Sequence, residues 1–327
     1  MRMLRDKRSI IAISVLLLIF IMFVIAQMNT KSPANEKRKK VSLIVYGDNN
    51  ERWENLRQGA ELVCGEKDAD LTLITTLEES DAGEQKEIIE REIEGGADAL
   101  IVAACNSTEI KAFMDERKLR IPVVYVESLS TALLTIKDTA VISPDDYQMG
   151  FELGEAVVEN ESDIVTVAVI SENTERDSVS LREKGFMDAV EGKVGKVIEW
   201  KRSERQQNVQ TRMFIQRAVV SEATDVIVTF DNSTTDALLD ALSNLNQSSK
   251  LYSISTSDKA VYNLYNNEIK ALEYPNEFSM GYLAAMYALD ESYARRKFAG
   301  EEIEYRTVRK ENMYDEDNQR LLFPFVN

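Results

Sequence analysis

From Val41 onward the sequence alternates short β-branched runs with segments of helical spacing, and this alternation limits the fold more than any other feature. The runs are VSLIVY (41–46), LTLITT (71–76), ADALIVA (97–103), PVVYV (122–126), IVTVAVI (164–170), DVIVTF (225–230), LYSIS (251–255) and IKALEY (269–274). After the first run, Trp53, Leu56, Ala60, Val63 and Cys64 fall three and four residues apart, and Gly65 is placed to stop that helix. EQKEIIEREIEGG (84–96) reads as a second amphipathic helix with a glycine terminator, and STEIKAFMDERK (107–118) begins with a Ser/Thr cap. Strands this continuously apolar are buried on both faces, as in parallel sheets, so the expectation is an α/β fold with doubly wound sheets. There are more strands than one sheet of five or six needs. The expected division places one sheet before about Val126 and another after about Ile164, joined by AVISPDDYQMGFELGEAVVE (140–159).

In such sheets, ligands bind outside the carboxyl ends of the strands. The segments at those ends are polar here: GDNNERW (47–53), ACNST (104–108), ESLS (127–130), SENTERDS (171–178), DNSTT (231–235) and TSD (256–258). One such loop is a turn or a helix cap. Six on one expected edge point to a groove that donates and accepts hydrogen bonds, suited to a neutral polyhydroxylated ligand with Trp53 nearby to cover its C–H face. No glycine-rich phosphate fingerprint comes after the first strand.

The N-terminus carries a separate signal. A basic segment (1–8) precedes Ile10–Ala26, and no charge appears between Arg8 and Lys31. Residues 9–30 are long enough to cross a hydrocarbon core of roughly 30 Å. The basic flank would stay in the cytoplasm and everything after the span would be exported. A cleaved signal peptide ending at Val24-Ile25-Ala26 is the rival reading. Residues 31–40 form a polar tether, and 41–327 the folded domain. Localisation is therefore expected at the cell membrane, single-pass, with the domain extracytoplasmic.

Composition removes several functions. The net charge is −17, and residues 1–40 hold nine Lys or Arg against Asp6 and Glu36, so the remainder is more acidic still; nucleic acid is not an expected partner. The chain has no histidine, the commonest general base and zinc ligand. No nucleophile motif and no carboxylate pair of defined spacing is visible, so neither an enzyme, a metal nor a cofactor is expected. Cys64 and Cys105 fit no metal spacing; Cys64 lies on a helix's apolar stripe, which favours two buried free thiols over a disulfide.

Several segments together carry a family resemblance. VSLIVYGDNNERWENLRQGAE (41–61), GGADALIVAACNSTEI (95–110), RIPVVYVES (120–128), LREKGFMDAV (181–190), DVIVTFDNSTTDALLDAL (225–242) and NEFSMGYLAA (276–285) resemble, in order, segments of the type I periplasmic sugar-binding proteins, the group of the ribose-binding protein. The resemblance implies two Rossmann-like lobes joined by a three-strand hinge that close on a small ligand. It places the first lobe at about 41–142 plus 275–303 and the second at about 143–274 plus 304–327. By position, Asn50 matches a first-loop Asn, and Arg52 and Trp53 stand where the family places aromatics. Glu127 stands where an Asp binds hydroxyls, and Ser128 where ribose binders carry Arg. Arg182 matches the Arg of the second lobe; Asp231 or Asn232 matches its Asn; Ser257 or Asp258 matches the next acid; Pro275 replaces a hydrogen-bonding Gln. These departures lead away from a standard pentose or hexose pose and leave room for a modified or acidic ligand held partly by Arg52 and Arg182. Plainer roles stand beside these: Trp53 as a core residue, Arg182 as a surface helix residue, Asp231 as an N-cap and Asn50 as a turn residue.

The resemblance implies a monomer that captures a small carbohydrate-like ligand for an ABC importer. The alternative is an anchored sensor that reports ligand to a membrane histidine kinase. A related transcriptional repressor is disfavoured, because an apolar span stands where a helix-turn-helix would be.

Overall fold

A computed structural model describes residues 38–47, 50–117, 119–129, 139–162, 164–202, 210–245, 249–290 and 303–323, together with Leu17, Phe20 and Met22. The chain divides into two units, 1–38 and 39–327. Of the expected membrane span at 9–30, only those three residues are described, as exposed helical positions; the rest lies outside the described residues. No helix among the described residues is long and apolar enough to cross a membrane.

Residues 39–327 contain two sheets. The first holds β1 (Lys39–Val45), β2 (Ala69–Thr75), β3 (Ala99–Val102), β4 (Val123–Val126) and β5 (Thr139–Ile142) in the order β2-β1-β3-β4-β5, with all its pairings parallel. The second holds β6 (Thr166–Ile170), β7 (Lys196–Trp200), β8 (Val226–Thr229), β9 (Lys250–Ile254), β10 (Ile269–Pro275) and β11 (Tyr305–Val308) in the order β11-β10-β9-β8-β6-β7. Only the β10–β11 pairing is antiparallel. The apolar runs explain the sheets directly. Along β6, Ala168 and Ile170 enter one core while Val167 and Val169 enter another on the opposite face. A strand with period two and apolar residues at every position can only sit mid-sheet with helices on both sides.

Helices α1 (Glu54–Glu66), α2 (Ala82–Glu94) and α3 (Ser107–Arg117) connect the first sheet; α4 (Asp146–Asn160), α5 (Asp177–Val190), α6 (Thr211–Ser221), α7 (Asn232–Leu245) and α8 (Asp258–Tyr265) connect the second. Helix α9 (Glu277–Leu289) comes after β10 of the second sheet, yet Met280, Ala284 and Ala285 are buried in the core of the first. It meets α1 at close range because both carry glycine at the crossing: a methyl on Gly281 would lie 1.9 Å from the Leu56 carbonyl oxygen, and one on Gly59 2.0 Å from that of Phe278. The last helix is α10 (Glu316–Leu322). The chain passes between the sheets around Ser143, Asn276 and Glu304. These passages are stitched to one another, Ile303 N–H to the Ser143 carbonyl at 3.2 Å and Asn276 N–H to that of Glu304 at 2.9 Å.

The expected α/β fold with two doubly wound sheets is therefore present, with three strands that the sequence pattern does not announce. β5, β7 and β11 all stand at sheet edges. An edge strand is half-solvated, so Lys196, Glu199 and Arg306 occupy positions where a central strand would be apolar. Local boundaries also differ. Helix α1 runs through Gly65 to Glu66, and the left-handed residue past its end is Asp68 (φ 51°). The N-cap of α3 is Asn106, whose Oδ1 accepts the Glu109 N–H at 3.0 Å, rather than Ser107 or Thr108. Cys64 and Cys105 are both buried and not joined in a disulfide.

Candidate functional site

The carboxyl ends of the strands of both sheets converge on a cleft with a cavity of about 630 Å³. From the first sheet, β1 ends in Tyr46 and Gly47. Gly47 has φ 78°, a left-handed turn that a side chain would strain, and its N–H is held by Thr76 Oγ1 at 3.0 Å. The chain then enters a 3₁₀ turn, Asn50–Trp53, that presents Arg52. From the second sheet, the β6 loop brings Arg176, the β8 loop Asp231 and Asn232, and the β9 loop Thr256 and Ser257. Two of these loops are ordered by their own caps: Asp231 Oδ1 accepts the Thr234 N–H at 2.8 Å, and Ser257 Oγ accepts that of Ala260 at 3.1 Å.

Arginines and carboxylates on the cleft are already joined to one another. Arg52 Nη1 donates to Glu277 Oε1 at 2.5 Å, and Thr256 Oγ1 donates to the same oxygen at 2.8 Å. Arg176 Nη2 donates to Asp231 Oδ2 at 2.9 Å while its guanidinium covers the Tyr46 ring at 4.4 Å. Tyr46 O–H donates to Glu127 Oε2 at 2.7 Å, and the other oxygen of Glu127 lies 3.9 Å from both Arg52 and Arg182. Arg182 Nε donates to Asp146 Oδ1 at 2.8 Å, and its Nη1 to the Phe230 carbonyl at 3.0 Å. Glu127 holds its place in a left-handed conformation, φ 63°, that costs a non-glycine residue about 1 kcal/mol or more.

Two further links tie the loops of the two sheets. Ser107 N–H donates to the Glu175 carbonyl at 3.1 Å, and Asp177 N–H donates to Ser107 Oγ at 2.9 Å. With Arg176 lying over Tyr46, they show the cleft in a closed arrangement.

Burial sets the electrostatics. Desolvation acts to raise the Asp231 carboxyl, but Arg176 and the donors of Asn173 and Thr234 outweigh it and hold the group below its ordinary value. Glu277 is pushed up by burial despite Arg52 and Thr256. Glu79 and Asp236, also on the cavity wall, are raised by burial.

Of the residues singled out from sequence, Arg52, Trp53, Asp231, Asn232, Ser257 and Asp258 line the cavity. Glu127 and Arg182 stand behind that wall, within the charge network. Arg182 is a buried residue, not a surface one. Trp53 lines the cavity and is also a core residue with no exposed surface: its Nε1 donates to the Tyr46 carbonyl at 3.0 Å, and Arg52 stacks over its ring at 4.3 Å. Asp231 is an N-cap and an ion-pair partner at once. The side chain of Asn50 lies outside the described residues. Ser128 faces inward, its Oγ accepting the Ala104 N–H at 2.6 Å. Arg52 and Arg182 are each engaged by a buried carboxylate of the protein itself, which leaves them poorly placed to hold an acidic ligand. Sequence reasoning missed Tyr46, Arg176, Glu277 and Glu79. Arg176 sits in a loop recognised as polar; Glu277 opens a helix, where an acid is expected for the helix dipole alone.

These features define the class: a two-lobed α/β fold with a ligand-sized cleft between its sheets. The chain belongs to the family of the periplasmic binding protein domain, which matches residues 41–293. No curated relative matches it. Among solved structures it is similar to a carbohydrate transporter solute binding protein from Agrobacterium radiobacter in complex with D-arabinose, with 16% identity over 88% of this chain and 99% of that one and a TM-score of 0.73. It is also similar to an ABC transporter solute binding protein from Agrobacterium vitis with bound D-fucose, with 17% identity over 87% of this chain and 100% of that one and a TM-score of 0.74. A third is the XylFII–LytSN complex, with 16% identity over 84% of this chain and 98% of that one and a TM-score of 0.67. At these identities the likeness establishes the fold.

Proposed function

We propose that the chain is an extracytoplasmic solute-binding protein that captures a small sugar-like ligand in the inter-lobe cleft and delivers it to an ABC importer. The observation that carries this is the cavity of about 630 Å³, lined from both sheets by hydroxyls, amides, carboxylates and aromatic rings. That volume and chemistry suit a monosaccharide or a compound of similar size. Binding in such a cleft is coupled to closure of the lobes, and the stitched passages near Ser143, Asn276 and Glu304 are the natural hinge. The sugar-bound fold neighbours support the ligand class. On this reading Arg52, Asn232 and Ser257 contact ligand, and Asn50 joins them from the first loop.

A thermal-shift screen of the chain from Lys39 against neutral, amino and acidic sugars tests it. At least one should raise the melting temperature, because a ligand bound only by the folded state stabilises it. A panel without any shift refutes the proposal.

A second reading, a sensor that reports ligand to a membrane histidine kinase, is favoured by the likeness to a binding-protein fold held in complex with a second protein, XylFII–LytSN. Both readings place residues 9–30 in the membrane as a retained anchor. A mature N-terminus at Gln27 in membrane-free supernatant would overturn that anchor. Neighbouring genes for a permease and ATPase favour transport; genes for a histidine kinase and response regulator favour sensing.

A further inference from the structure

The charge on the cavity wall is unbalanced in a way that bears on the ligand. Its three cations each have a carboxylate of the protein as partner. Arg52 pairs with Glu277, Arg176 with Asp231, and Lys259 Nζ with Asp240 Oδ1 at 2.9 Å. The carboxylates are not all matched in return. Asp231 is fully occupied, accepting from Arg176, Asn173, Ser233 and Thr234. Glu54, at the rim, pairs with Arg57 at 2.7 Å. Glu79, Asp236 and the exposed Asp258 also line the cavity, and among the described residues none of the three forms an ion pair. Asp236 accepts one hydrogen bond, from Ser257 Oγ at 2.7 Å, and Glu79 lies beside Ser233, whose hydroxyl donates to Asp231 Oδ1 at 3.1 Å.

Glu79 and Asp236 both stand at the start of α7. Ser233 and Asp236 lie three residues apart in the first turn of α7, hence on one face of the helix, and Ser233 is the group that Glu79 touches. The positive end of α7 would oppose a cation there, but the Asp231 carboxylate caps that end. The cavity lining also includes the aromatic residues Tyr274 and Phe323, which are compatible with an ammonium group.

We propose that the cleft selects a cationic ligand, a sugar-like compound carrying a free amine, with the ammonium bracketed by Glu79 and Asp236. The proposal rests on the binding-protein reading above and narrows it. It also reverses the expectation of an acidic ligand. A neutral polyol would leave Glu79 and Asp236 outside any direct ion pair, with only the partly spent charge of Arg176, Arg52 and Lys259 nearby, and an acid would add negative charge beside them. Burial raises both carboxyls, and an ammonium between them would favour their charged form.

The test is titration calorimetry on the full chain in detergent at pH 7. The ligands are D-glucosamine and D-galactosamine, their parent hexoses, their N-acetyl derivatives and the matching uronic acids. An amino sugar should bind about tenfold or more tightly than its parent hexose. N-acetylation, which removes the charge, should abolish the advantage. In the Glu79→Gln/Asp236→Asn double variant, checked for folding by circular dichroism, the ratio of amine to hexose affinity should fall toward one. Equal or tighter binding of a hexose or uronic acid overturns the cationic class and leaves the binding-protein reading standing. An amine preference that persists in the double variant overturns the assignment to these two residues. An absence of binding across the whole panel refutes both readings together.

Discussion

Glu273 offers the sharpest physical test of the second lobe. It lies on β10 with no exposed surface, opposite Thr307 of β11. Thr307 Oγ1 donates to its Oε1 at 2.8 Å, and among the described residues its Oε2 has no hydrogen-bond partner. Burial pushes the carboxyl from 4.5 up to about 8; the Glu152 carboxylate adds to this, while Thr307 and Arg309 oppose it only in part. The folded protein therefore keeps a proton that the unfolded chain has released between those two values. Stability from this group is fully present below pH 4.5 and is lost as pH rises toward 8. At about 1.4 kcal/mol per pH unit, the window is worth about 5 kcal/mol, of which about 3 kcal/mol is lost by pH 7. Glutamine has the same shape, keeps an oxygen for Thr307 and does not titrate. Glu273→Gln should match the wild type near pH 4.5 and exceed it increasingly up to pH 8, by roughly 10 °C in melting temperature for a chain of this size. Urea unfolding of the chain from Lys39, a compact unit by itself, at half-unit steps from pH 4.5 to 8.5 measures the gap. A gap that stays flat across that range refutes the reasoning.

Other perturbations act through packing and charge. Gly281→Ala puts a methyl against the Leu56 carbonyl oxygen and should destabilise by about 2 kcal/mol or more. Gly65→Ala meets nothing within 4 Å and should stabilise α1 by roughly 0.5–1 kcal/mol; urea midpoints of both variants check the contrast. Arg176→Ala strands the buried Asp231 carboxylate and uncovers Tyr46, and should cost about 3–5 kcal/mol in the same assay. Arg176→Lys should recover only part of that loss, since an ammonium lacks the planar face that covers the ring.

How much was legible from the sequence depended on how each residue is used. Central strands were visible because both faces are buried, as Val167 and Ala168 show by entering opposite cores. The edge strands β7 and β11 were not, because much of their surface meets water and their residues read like loop; β5 is buried but only four residues long, and it reads as part of the segment joining the sheets. The helix terminator at Gly65 and the cap at Ser107 failed for a related reason: a single residue's preference is weak beside the packing of the helix around it. At the cleft, sequence position identified Arg52, Asp231, Asn232 and Ser257 as wall residues. It could not foresee that Arg176 would cross to cover Tyr46, nor that Glu277 would take up Arg52.

The sequence by itself determined the architecture, since apolar periodicity forces parallel, doubly covered sheets and places the polar loops at one end of their strands. It also marked four loops that line the cleft, at 47–53, 171–178, 231–235 and 256–258, while those at 104–108 and 127–130 stand off its wall. Only the tertiary structure decided how the charges on those loops pair. Pairing is a matter of distance between residues remote in sequence, Arg52 and Glu277 among them, and it is this pairing that leaves Glu79 and Asp236 to meet whatever enters the cleft.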